Sequence, residues 1–89
     1  MTAVTLSELE VYFNDGVKQN KAVMVIWTDC FDYEDYPEYF DDKEAARKEK
    51  EDTAKNEKQM RRFQEAYDLK LPFKEQPGMT NGRGRANCL

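Results

Sequence analysis

Seven consecutive residues, Ala22-Val23-Met24-Val25-Ile26-Trp27-Thr28, read as a β-strand with no polar side. Branched and aromatic side chains suit a pleated surface. A strand that is apolar on both sides needs a central place in a sheet or cover on both faces. Any fold for this chain has to supply that cover.

The first candidate cover lies upstream. Thr5-Leu6-Ser7-Glu8 is a capping box, in which a threonine and the glutamate three residues on satisfy free N–H groups of a first helical turn. Leu6, Leu9 and Phe13 then fall on one helical face. Asn14-Asp15-Gly16 is expected to end this helix, with Gly16 as a left-handed cap. A strand is the rival reading, because Leu9, Val11 and Phe13 also alternate and Asp-Gly is a hairpin signal. The polar stretch 17–21 makes a poor partner strand, which favours the helix.

Downstream, the strand runs into an acidic stretch and Tyr36-Pro37-Glu38-Tyr39-Phe40 forms a short second strand. Pro37 lacks a ladder donor, so this strand belongs at an edge. Asp41 or Asp42 can cap a long helix, since residues 43–69 contain neither Gly nor Pro. Glu44–Lys48, Glu51–Lys55 and Glu57–Arg61 are favourable i,i+4 pairs, and Ala46, Thr53, Met60 and Tyr67 recur every seventh residue with Phe63 beside them. On this reading the C-terminal half of the helix packs on the core. A second reading breaks the helix near Asn56 and closes a ββαβ sheet with a strand over 63–71, where Phe63, Glu65, Tyr67, Leu69 and Leu71 alternate. Pro72 ends the element in either case.

The expected architecture is thus a single small α+β domain over 1–73: an N-terminal helix, a short antiparallel hairpin or sheet, and a long C-terminal helix. Residues 74–89, with Pro77, Gly78, Gly82 and Gly84, are expected to form a flexible tail. No internal repeat is present.

Composition narrows function mostly by exclusion. With 14 basic and 18 acidic residues, net charge −4, the chain does not bind nucleic acid through its general surface. It has no histidine, hence no ordinary general base and no zinc site without borrowed ligands. Gly82-Arg83-Gly84-Arg85 follows no strand and opens no helix, so it is no phosphate loop. Cys30 sits among carboxylates, which blunt a thiolate, and Cys88 stands next to the end, so both read as reduced thiols. No signal peptide and no membrane span are expected, which places the chain in the cytoplasm. Neither cofactor nor resident metal is expected, although Asp29, Asp32, Glu34 and Asp35 are hard oxygen ligands close in sequence.

What remains is residues 29–42, which hold seven carboxylates, six aromatic or other apolar side chains and no positive charge. Tyrosines supply rigid contact area, and carboxylates steer toward cationic surfaces. The expected partner-binding set is Asp29, Phe31, Asp32, Tyr33, Glu34, Asp35, Tyr36, Glu38, Tyr39, Phe40, Asp41 and Asp42. In size, acidity and lack of catalytic residues the chain resembles the small early proteins of bacteriophages that disable host enzymes or defence systems. That resemblance covers composition alone and transfers no residue. Together with the acidic and aromatic stretch, it implies a non-catalytic inhibitor, monomer or homodimer, that docks on a basic site of a larger intracellular protein, such as a site built for nucleic acid. It implies contact with neither nucleic acid itself nor a membrane, and places a viral product in the host cytoplasm. The alternative is a self-associating structural or accessory subunit of a larger assembly.

Overall fold

The computed structural model describes residues 5–55, 60–78 and 86–89. Helix α1 spans Leu6–Lys18 and opens on the capping box, with Glu8 N donating to Thr5 Oγ1 at 3.2 Å and Thr5 N to Glu8 Oε1 at 3.3 Å. It buries Leu9, Phe13 and Gly16. The expected glycine cap is corrected: the helix runs on through Gly16, and Asn20, at φ 59°, takes the left-handed position after it. Gly16 is needed for closeness instead, because a Cβ there would lie 2.8 Å from the Tyr39 ring and 2.9 Å from Leu69.

Strand β1, Val23–Asp29, is central as its two apolar sides require. Strand β2, Asp35–Phe40, pairs antiparallel with one edge of β1, from Val23↔Phe40 to Thr28↔Asp35. The pair Asp29 N–Glu34 O makes 29/34 a hydrogen-bonded pair, so Ile26/Pro37 falls at a non-bonded position. Pro37 therefore turns its missing donor outward, blunting the sheet's outer edge against a further strand.

The expected long helix over 43–69 is corrected. Helix α2 is Lys43–Lys55, and the chain then returns as strand β3, Arg61–Asp68, antiparallel to the other edge of β1. A helix to residue 69 would have left the backbone of the buried strand unpaired along that edge, which costs more than local helix preference returns. The rival strand over 63–71 is corrected as well: β3 begins two residues earlier, ends at Asp68 before the turn at residues 69–70, and does not keep the alternation from Phe63 to Tyr67. Strands β2 and β3 run parallel with β1 between them, and α2 is the crossover. The result is a small α+β domain with one helix on each face of a three-stranded sheet.

Two cores follow from the alternation of β1. Met24 and Ile26 pack with Leu9, Phe13, Tyr67 and Phe73 under α1. Val23, Val25 and Trp27 pack with Ala46 and Ala66 under α2. Part of the stretch expected as a tail is built into this body. Gln76 is buried, its amide accepting from Asp68 N at 2.6 Å and donating to Asp68 O at 2.9 Å. Asn87 makes a parallel bridge to Ala66, with Ala66 N donating to Ala86 O at 2.9 Å. Residues 79–85 lie outside the described residues. No helix among the described residues is long and apolar enough to cross a membrane.

Candidate functional site at the hairpin end of the sheet

The acidic and aromatic stretch does not form one patch, because a strand turns alternate side chains to opposite faces. Tyr36, Glu38 and Phe40 point toward α2, and Tyr39 toward α1. Most of their polar atoms are engaged internally. Tyr39 OH donates to Tyr12 O at 2.7 Å, Trp27 Nε1 donates to Glu38 Oε1 at 3.0 Å, and the Thr28 hydroxyl donates to Asp35 at 2.5 Å. At the far end of β2, Asp41 pairs with Lys21 at 3.0 Å and Asp42 caps α2, accepting from Ala45 N at 2.7 Å.

What the structure does bring together is the hairpin tip. Cys30 to Tyr33 form a four-residue loop closed by Tyr33 N–Asp29 O at 2.8 Å and Asp29 N–Glu34 O at 2.9 Å. Asp29 Oδ1 accepts from Phe31 N at 2.7 Å, and Asp32 Oδ1 from Glu34 N at 3.3 Å, so two of the acids shape the turn. On this fixed backbone Phe31 is 80% exposed and Tyr33 51% exposed, with Asp32 and Glu34 also in solvent. Among the described residues neither Asp32 nor Glu34 has an ion-pair partner. The four carboxylates weighed as metal ligands do not converge on one point; no such cluster occurs among the described residues.

Tyr33 stands at φ 60°, a region that costs a bulky L-residue about 1 kcal/mol or more. Met60, across the same end, stands at φ 52° and is half exposed, its carbonyl accepting from Cys30 N at 2.8 Å. Two strained residues, neither Gly nor Asn, thus hold large side chains in solvent at this end of the sheet.

Sequence reasoning missed Met60, and it missed the group around Arg61. A bulge at Gln64, between the pairs Ile26↔Glu65 and Trp27↔Phe63, reverses the alternation of β3. It moves Phe63 and Arg61 from the Tyr67 side to the α2 side. There Arg61 lies 4.0 Å over the Trp27 ring, donates to Tyr36 OH at 3.2 Å and pairs with Glu38 at 3.2 Å. Its contact with Glu49, at 3.5 Å, is an ion pair without hydrogen-bond geometry, so Glu49 Oε2 has no hydrogen-bond partner. Nothing in Arg61-Arg62-Phe63-Gln64-Glu65 announces a bulge. Read as helix, these arginines look like ordinary solvated charge.

Burial, then the charge of Asp15 and the neighbouring Tyr12, push the Tyr39 phenol above the ordinary tyrosine value. A raised folded-state pKa means a contribution that is complete below the unfolded value, near pH 10, and lost as pH rises through the folded one. Tyr39→Phe is expected to cost about 1 kcal/mol at neutral pH through the lost bond to Tyr12. It should also flatten the alkaline fall in stability. Urea midpoints near neutrality and above pH ~10 test this, and an identical alkaline decline in both proteins would refute it.

No protein-family model matches this chain, and neither a curated protein nor a solved structure is significantly similar to it.

Proposed function

We propose that this chain is a non-catalytic binding protein that docks the hairpin end of its sheet on a larger protein. Phe31 and Tyr33 enter apolar pockets of the partner, with Met60 beside them. Asp32 and Glu34 face lysines or arginines around those pockets. The partner surface is basic, as a nucleic-acid-binding site is, and stoichiometric occupation inhibits it in the manner of the small phage proteins that the chain resembles.

One observation carries this reading: aromatic rings are held in solvent on an ordered, strained turn where glycine would be easier. Fully burying one phenylalanine is worth about 1.5–3 kcal/mol, and that gain is unclaimed in the free protein. Self-association by strand pairing is less well supported, because Pro37 interrupts the outer edge of β2.

The strain at Tyr33 separates binding from folding. Combining Phe31→Ser with Tyr33→Gly is expected to leave the urea midpoint unchanged or slightly raised, since glycine relieves the left-handed backbone. The same double variant should fail to retain the protein that wild type captures from lysate. Added salt should slow wild-type association with that protein, and Asp32→Lys with Glu34→Lys should slow it further. Equal capture by wild type and double variant would overturn the proposal, as would a salt-independent on-rate. Light scattering over a dilution series addresses the alternative: a dimer that dissociates in the double variant would replace docking with self-association.

A further inference from the structure

Behind the hairpin end, between α2 and the start of β3, lies a pocket of about 450 Å³. That is within the range of small-molecule sites, roughly 300–1,000 Å³. Its described walls include Lys50 and Thr53 from α2 and Met60, Arg61, Arg62 and Phe63 from the other side. Three of these are cations, and none of the described lining residues is a carboxylate, in a chain whose acids outnumber its bases 18 to 14. Arg61 is already ion-paired with Glu38 and Glu49, so Lys50 is the cation left to attract an anion here.

The polar wall is also incomplete. Thr53 is only 7% exposed, and its Oγ1 has no hydrogen-bond partner; Arg61 Nε is buried and unpartnered as well. A buried polar group left unmet is destabilising, and an occupant that meets it removes that cost. A helical threonine has two accessible rotamers, so its hydroxyl can turn to meet an occupant. The remaining walls, Phe63 and Met60, are apolar, and Lys50 Nζ already sits 4.3 Å over the Phe63 ring. The ring thereby sets an apolar surface directly beneath a positive charge.

We propose that this pocket binds a small organic anion, an oxyanion group carried on an aromatic or similarly flat apolar body. The anion pairs with Lys50, the body lies on Phe63 and Met60, and the Thr53 hydroxyl donates to an oxyanion oxygen. The site shares Met60 with the hairpin docking surface and borders Cys30, the first residue of the hairpin loop, but uses neither Phe31 nor Tyr33.

Phenyl phosphate is a suitable probe, followed through the amide spectrum of the full chain by NMR. Saturable shifts are expected at Lys50, Thr53 and residues 60–63. Lys50→Met, outside the core, should weaken binding about tenfold or more. Thr53→Val should weaken it several-fold, and the Phe31→Ser, Tyr33→Gly variant should bind as wild type does. Benzyl alcohol, which lacks the anion, and inorganic phosphate, which lacks the ring, should both bind more weakly. Shifts that do not saturate, that spread over all cationic residues, or that survive Lys50→Met would overturn the proposal. So would equal affinity for either comparator.

Discussion

Trp27→Ala is expected to remove half or more of the chain's stability. The indole is fully buried at the centre of the sheet face under α2, in edge-to-face contact with Phe63 at 6.2 Å. Truncating a buried tryptophan to alanine removes about 3–5 kcal/mol through lost transfer energy and the cavity left behind. A domain of this length has about twice that in total, since stability runs at about 0.05–0.15 kcal/mol per residue. Two further losses add to the cavity. The Arg61 guanidinium loses the ring on which it stacks, and Glu38 loses the indole donor at 3.0 Å. Trp27→Phe keeps a ring and removes the donor, so its cost should be near 1–2 kcal/mol. Urea titration followed by far-ultraviolet circular dichroism reads both variants without relying on the tryptophan itself. A Trp27→Ala midpoint close to wild type would mean that the α2 face is no closed core, and the assignment of α2 as its cover would fail.

The part of the fold set by strong local physics was legible. A strand with two apolar sides had to be central, a capping box had to start a helix, and a proline-bearing strand had to be an edge; β1, α1 and β2 follow. Strand β3 was harder because Arg61-Arg62-Phe63-Gln64-Glu65-Ala66-Tyr67-Asp68 contains no β-branched residue and is rich in good helix formers. Its strand state comes from pairing with the vacant edge of β1, a tertiary demand that overrides propensity. The heptad pattern was half real: Ala46 and Thr53 are buried on α2, whereas Met60 and Tyr67 match it only by coincidence. The binding patch contained an internal contradiction. Tyr33, Tyr36 and Tyr39 recur at three-residue steps, yet a strand over 36–40 sends Tyr36 and Tyr39 to opposite faces. Only the tip, Phe31 to Glu34, escapes that division because it is loop. The Arg61 cluster and the pocket beside it depend on the bulge at Gln64, which has no mark in the sequence.

Arg61→Met should cost about 2–3 kcal/mol, and most of that cost should come from the acids it abandons rather than from its own lost contacts. The guanidinium side chain is 13% exposed, against 40% for Glu38 and 27% for Glu49. Burial alone would lower its pKa, but the bond it donates to Tyr36 and the charges of Glu38 and Glu49 outweigh burial and raise it. Breaking a fully buried pair by removing one partner costs about 3–5 kcal/mol; the partial exposure of both glutamates reduces that figure. Loss of the cation over Trp27 adds about 1 kcal/mol, partly offset because a methionine stem still packs on the indole. If stranded charge is the cause, removing it should help. Glu49→Leu in the Arg61→Met background is expected to recover half or more of the loss, so that the double variant is more stable than the single. Urea midpoints of the two single variants, the double and wild type form a complete cycle. A double variant as unstable as the sum of its parts would show that Arg61 acts through packing alone, and a single variant at the wild-type midpoint would show that the Arg61 network contributes nothing to holding β3 against α2.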